Sequence, residues 1–172
     1  MSRDVAGDPR LALLHARRTV SRLGPPGPDA AELAAMLDAA DAAPDHGRLH
    51  PWRLTVLDGP TRDALSDAYA AAAAARGEDA EAVARARSKP LRGPVVVAAV
   101  ARTVPHPRVP AWEQLAAAAC AVQNLCLAAT ALGYGSAWRT GTAVEDPGVR
   151  AVLDLDPDDR LIGFVHLGTP TA

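Results

Sequence analysis

Apolar positions recur along this chain with two periods, and the switches between them mark its elements. Leu33, Met36, Leu37 and Ala40 repeat at helical spacing. Asp29 precedes them as a good N-cap, with Glu32 three residues on as a capping-box partner. Pro9 suits the first turn of an earlier helix running to about Arg18. Leu54 to Leu57 reads as a strand closed by Asp58-Gly59-Pro60. An alanine-dominated helix follows from Thr61 to Arg76, ended by Gly77, and a second from Glu78 to Ser88. Pro94 to Val100 is uninterruptedly apolar, the pattern of a central strand covered on both faces. Pro105, Pro107 and Pro110 mark an extended loop, and a long helix runs from about Trp112 to Leu132. Gly133-Tyr134-Gly135 stops that helix and opens a strand over 136–139. Pro147 to Leu153 is a short helix, and Arg160 to Leu167 a last strand that ends in a turn at Gly168-Thr169-Pro170. Residues 1–8 read as a loose polar leader, and 9–172 as one domain.

Composition narrows the reading. At 172 residues the length suits one domain. Apolar residues make up 49% but aromatics only 3%, so much of the core is alanine and buries little area per residue. A core that thin gains from pairing with a second subunit. Eighteen basic residues against twenty acidic give a net charge of −2, which argues against a nucleic-acid binder driven by phosphate neutralisation. Cys120 and Cys126 fall on opposite faces of one helix, so they read as reduced thiols of a cytoplasmic protein. The basic N-terminus has no apolar run behind it, so no signal peptide is expected. The apolar stretch 115–132 contains Gln123 and Asn124, and reads as a buried core helix rather than a membrane span.

Several segments carry candidate chemistry. The loop Ala43-Pro-Asp-His46-Gly-Arg-Leu-His50-Pro-Trp52 gathers versatile side chains that Pro and Gly keep from being helical. It is either a displayed site or a helix stop ahead of a buried Trp. Arg17-Arg18-Thr19 suits an anion, since guanidinium groups grip phosphate with paired donors; a helix C-terminus decorated with cations would read the same way. Trp138-Arg139-Thr140 sets a second arginine beside a hydroxyl, or else a plain surface cation. His46 and His50 lack a third ligand of suitable spacing, so no metal site is expected. Asp154, Asp156, Asp158 and Asp159 read as a solvated turn. Walker, Gly-x-Gly-x-x-Gly and Gly-x-Ser-x-Gly motifs are absent. Donors and cations without a nucleophile suit a protein whose reactive group is a bound cofactor.

The order of these segments resembles the nitroreductase family. The resemblance rests on Arg17-Arg18-Thr19, then Ala43-Pro-x-His46 and Pro51-Trp52 before a strand, Trp112-Glu113-Gln114 opening a long helix, Gly133 to Gly141, and Ile162 to Pro170. It points to the small, short-chain branch of NAD(P)H nitroreductases and covers about Leu11 to Pro170. It implies an α+β fold with a central, mostly antiparallel sheet flanked by helices, in an interlocked homodimer. One FMN would sit at each of two interface sites, taking hydride from NADH or NADPH at flavin N5 and passing it to a small acceptor, with no catalytic side chain required. Arg17, Arg18 and Thr19 would hold the phosphate and ribityl chain. His46 and His50 would approach from the partner subunit, and Trp138, Arg139 and Thr140 would return to the phosphate end. Ala128, Ala129, Thr130, Ala131, Leu132 and Gly133 would contact the nicotinamide. No nucleic-acid or membrane partner is implied.

Two positions depart from the family pattern. Ser21 stands where many members carry Lys or Arg, with Arg22 one residue late. A reduced flavin there is less stabilised unless Arg22 turns inward. His50 stands where Gln is common, which places a side chain that titrates near neutral pH beside the flavin. The alternative the first departure leaves open is an FMN-binding dimer without reductase turnover.

Overall fold

In this computed structural model, which describes residues 8–171, the chain folds around a five-stranded sheet. The expected leader lies, but for residue 8, outside the described residues. The elements in order are α1 (Pro9–Ala16), β1 (Leu23–Gly24), α2 (Ala30–Asp41), β2 (Trp52–Val56), α3 (Gly59–Ala75), α4 (Ala80–Ser88), β3 (Val95–Arg102), α5 (Ala111–Ala131), β4 (Gly135–Arg139), α6 (Pro147–Val152) and β5 (Asp159–Pro170). Single 3-10 turns follow α4 and precede α6. All pairings between these strands are antiparallel. β3 lies between β2 and β5, while β4 and β1 pair with the second half of β5.

Alternation along β3 explains the layering. Val97, Ala99 and Ala101 face a cluster made with α2 and α5, where Met36, Val122 and Leu125 are fully buried. Val96, Ala98 and Val100 face the opposite cluster, with Leu65, Val149 and Phe164. A strand covered on both sides has no polar face, which is why its sequence reads as a continuous apolar run. Ala117, Ala118, Ala121 and Ala129 bring the backbone of α5 close to the sheet. By length and composition α5 could cross a membrane, yet 44% of its most apolar window is buried inside the fold. Both cysteines are free, Cys120 exposed and Cys126 buried.

The expected capping box is present: Asp29 Oδ1 accepts from Glu32 N at 2.8 Å, and Glu32 Oε2 from Asp29 N at 2.9 Å. Three expectations are corrected. Helix α1 stops at Ala16, and by Thr19 the chain has left it to bridge Ser136 of β4. The last strand does not end in a turn at Gly168. It continues through Pro170, paired to Leu23 and Gly24, because Thr169 N and Thr171 N both find carbonyl acceptors on the 22–26 segment. The aspartate cluster is not wholly solvated: Asp159 is only 5% exposed and accepts from Arg102 Nε at 3.0 Å.

Gly163 marks the irregular point of β5. It sits beside the register shift at Ala99/Val100 and has φ +134°. A Cβ there would lie 2.5 Å from the Arg139 carbonyl and 2.7 Å from Trp138 Nε1. Glycine is therefore the condition for β4 to lie this close, with the Trp138 indole donating to Ile162 O at 2.9 Å.

Candidate functional site

Two half-sites form at opposite ends of α5. At its C-terminal end, the chain leaving α1 runs alongside β4. Thr19 bridges Ser136 in parallel, and Val20 N donates to Ser136 O at 2.9 Å. The half-buried Arg17 lies close enough to Cys126 for its charge to favour the thiolate, although burial still pushes that thiol up. Arg18 donates back to the carbonyls of His15 and Arg17. Two residues past Thr19, the Ser21 hydroxyl accepts from the Arg139 guanidinium at 2.9 Å. The two arginine-bearing segments thus share one edge of the sheet. Arg22 is exposed and, unlike Ser21 and Arg139, does not line the cleft that opens there.

Ser21, Arg139 and Thr140 open into a cleft of about 540 Å³ beneath α3 and α4. Its walls carry Arg76, Lys89 and Arg92 as well as Arg139, and no carboxylate lines it among the described residues. Tyr69 and Phe164 pack edge to face at 6.3 Å in its apolar part. His166 closes the floor, its Nδ1–H donating to Arg92 O at 2.8 Å. Burial holds the imidazole below its usual range, assisted by the charges of Arg62, Arg139 and Arg92. Burial pushes the Tyr69 phenol up to about 12. Lys89, Arg92, Tyr69 and His166 were not singled out in the sequence. The only local signal was the run Lys89-Pro-Leu-Arg92 just ahead of the central strand.

The remaining residues of this end are placed as follows. Trp138 is half-buried against the α2/α5 cluster. Thr19 lies against β4, and none of Arg17, Arg18 and Thr19 lines the cleft. Ala129 is fully buried in the core against the sheet, and the Thr130 hydroxyl is spent on Cys126 O at 3.0 Å, so neither offers a polar group outward. Ala131, Leu132 and Gly133 are exposed and Ala128 half-buried. Tyr134 donates to Glu32 Oε2 at 2.7 Å, tying this end of α5 to the start of α2.

The other half-site is the loop between α2 and β2. Asp45 organises it: Oδ2 accepts from His50 N at 2.7 Å and Oδ1 from Leu49 N at 3.1 Å. Gly47, Arg48 and His50 all have positive φ, at +80°, +54° and +48°. Each non-glycine residue held there costs about 1–3 kcal/mol, and such strain persists only where the surroundings over-determine it. The His50 ring lies 4.4 Å from the Trp52 ring, and Trp52 Nε1 donates to Asp41 Oδ1 at 3.0 Å. The exposed His46 ring donates from Nδ1 to Glu113 Oε2 at 2.8 Å. Trp52 is buried, so the segment is both a helix stop over a buried Trp and a rigidly built display of two imidazoles. No group of three or more potential metal ligands occurs among the described residues.

Glu113 and Thr130 are seventeen residues apart on one helix, which sets the two half-sites about 25 Å apart within one chain.

A basic, carboxylate-free cleft beside an arginine strip is the donor set of an α+β protein that holds an anionic, phosphate-bearing cofactor. The chain belongs to the nitroreductase family, whose model matches residues 14–169. It is 39% identical over 160 residues to a protein of Escherichia coli K12 named "Putative NAD(P)H nitroreductase YdjA", covering 93% of this chain and 87% of that protein. Among solved structures it resembles a nitroreductase-like family protein from Bacillus cereus, with a TM-score of 0.77 at 22% identity, covering 100% of this chain and 88% of that one. It also resembles a nitroreductase with bound FMN from Bacteroides fragilis, with a TM-score of 0.73 at 27% identity, covering 95% and 89%.

Proposed function

We propose that this chain is an FMN-dependent oxidoreductase that passes hydride from NADH or NADPH to a nitro compound, quinone or similar small acceptor. The observation that carries the reading is the basic cleft: cations and hydroxyls converge on it and no carboxylate lines it among the described residues, although Arg76 is paired with Glu78 beside it at 2.7 Å. The family relatives named above support the same cofactor and donor.

Residues 9–172 act as one unit, paired with a second copy. The pairing is supported by geometry, because the imidazole loop and the arginine half are too far apart for one chain to close both on one cofactor. It is supported by surface as well: Leu11, Leu14 and Leu132 are 40%, 53% and 44% exposed near the same end of α5.

Arg17, Arg18 and Thr19 bind the phosphate and ribityl chain, and Trp138, Arg139 and Thr140 close on the same cofactor from β4. His46 and His50 of one subunit face the flavin held by its partner. Ala128 to Gly133 border the nicotinamide, chiefly through the exposed Ala131, Leu132 and Gly133. The flavin, when bound, supplies the two-electron chemistry. Arg139 holds positive charge at Ser21, where the first motif lacks a cation, and charge at that edge favours the reduced form. The ground for an FMN-binding dimer without turnover was the absence of that cation, so reductase activity is the better-supported reading.

Purified protein tests it. A yellow preparation, bleached anaerobically by NADH or NADPH and recoloured by a quinone, is the expected result. A colourless protein that takes up no added FMN refutes it.

A further inference from the structure

Reducing a nitro group, quinone or enone takes a proton as well as a hydride, and the basic cleft offers no group suited to give one. Arginine holds its proton too tightly to act as a proton donor near neutral pH, and Lys89 is exposed. Tyr69 is pushed up to about 12 by burial. His166 is buried, held below its usual range, and already donates its Nδ1–H to Arg92 O. The other half-site differs. His46 is exposed, yet its ring is not free to turn. Nδ1 is fixed on Glu113 Oε2 at 2.8 Å, a contact across 67 residues that joins the loop to the first turn of α5. The Glu113 side chain is the less exposed partner, 30% against 62%, so it anchors and the imidazole projects. The backbone beneath is fixed by Asp45 and by positive φ at Gly47, Arg48 and His50. An exposed loop is therefore built to hold one imidazole nitrogen still and leave the other, Nε2, facing outward. A ring nitrogen bound to a carboxylate fixes the tautomer and orients the second nitrogen for proton transfer.

We propose that His46 is the proton donor to the electron acceptor, with Glu113 as its positioning residue. This rests on the flavoenzyme reading, in which the loop of one subunit faces the cofactor of its partner. The bound flavin would supply the acceptor with a hydride drawn from the nicotinamide, two electrons and one hydrogen. His46 acts as the imidazolium, protonated on both nitrogens beside the Glu113 carboxylate; its Nε2–H bond breaks and the proton goes to the oxygen or nitrogen anion that hydride addition to the acceptor creates. The imidazole is left neutral with Nδ1–H still on Glu113, and water returns the proton. Overall NAD(P)H, one proton and the oxidised acceptor become NAD(P)⁺ and the reduced acceptor. His46 is a catalytic residue in this account because it touches the reacting atom, whereas Glu113 acts only through it.

The test uses FMN-loaded native protein, His46→Gln and Glu113→Gln at saturating FMN. Rapid mixing separates bleaching by NADH or NADPH from recolouring by a para-benzoquinone. The expected result is that all three bleach, and each variant's recolouring rate is read against its own bleaching rate. Recolouring slows about a hundredfold in His46→Gln, within the roughly 10²–10⁴ range of general acid catalysis, and by a smaller factor in Glu113→Gln. A solvent deuterium isotope effect on recolouring is expected in the native protein and lost in His46→Gln. Ring ¹⁵N spectra of the resting protein give a readout apart from turnover: Nδ1 of His46 stays protonated when Nε2 has lost its proton, and Glu113→Gln shifts those resonances. Recolouring of His46→Gln within twofold of native, or a His46 ring unmoved by Glu113→Gln, overturns the proposal while leaving the flavoenzyme reading intact. A protein that holds no flavin, or is not bleached by either nucleotide, overturns that reading and this proposal with it.

Discussion

Replacing Gly163 by alanine tests whether the close approach of β4 to β5 builds the arginine half-site. The backbone at φ +134° lies in a region that is nearly glycine-only, and holding alanine there costs about 1–3 kcal/mol. The new methyl would stand 2.7 Å from Trp138 Nε1, so the indole must move and its bond to Ile162 O is lost, worth about 1 kcal/mol. The contact at 2.5 Å is with the Arg139 carbonyl, which has no flexible end to give. The sum is roughly 2–4 kcal/mol before any repulsion. For a chain of this size it corresponds to a fall in Tm of about 5–15 °C. Gly59→Ala is the control, since Gly59 has no atom within 4 Å of the added carbon and no positive φ. It is expected to change stability by less than about 1 kcal/mol. Both variants are read by thermal unfolding, with FMN affinity followed by fluorescence. A Gly163→Ala protein that melts within about 2 °C of native and binds FMN normally would refute the argument that this glycine positions Trp138 and Arg139.

Arg17→Ala should weaken FMN binding by about 1.5–3 kcal/mol, the scale of a lost charged hydrogen bond, read as a rise in Kd by fluorescence titration. Leu14→Asp on the exposed face of α1 should shift the light-scattering mass from two chains to one. Asp45→Ala removes the acceptor for His50 N and Leu49 N and should cost about 1–3 kcal/mol after allowance for partial exposure, measured by Tm. His166 adds a pH dependence. Its folded pKa is depressed, so the unfolded chain binds the proton more readily, and the group's contribution is intact above about pH 6.5. Stability should fall as pH drops below that value, and His166→Asn, which keeps a donor towards Arg92 O, should flatten that part of the Tm profile.

Local signals carried most of the fold. The capping box at Asp29 and Glu32, the two-faced run of β3 and the long α5 are each fixed by contacts a few residues apart or by burial on every side. The fate of Gly168 to Pro170 was not legible, because glycine and proline signal a turn while the partner of that backbone, the segment from Arg22 to Pro26, lies nearly 150 residues earlier. Asp159 was misread for a similar reason: only Arg102, across the sheet, makes it a buried acceptor. The arginine segments and the imidazole loop stood out by residue type. Asp45 and Glu113 fall within quoted motifs, but their roles were not legible, since these are set by which backbone and ring they meet. The cleft residues Lys89, Arg92, Tyr69 and His166 converge only when α3 and α4 fold over the sheet.

Because α5 joins the two half-sites without a break, its residue count is a quantity the protein cannot freely alter. One inserted residue between Glu113 and Cys126 would turn the two ends by about 100° relative to each other and spoil one of them. Four would nearly restore the facing, yet lengthen the spacer by about 6 Å. In the proposed twofold pair, that change would move each histidine loop away from the arginine half-site it is proposed to meet, at both sites together. Length changes are therefore confined to the connections between elements.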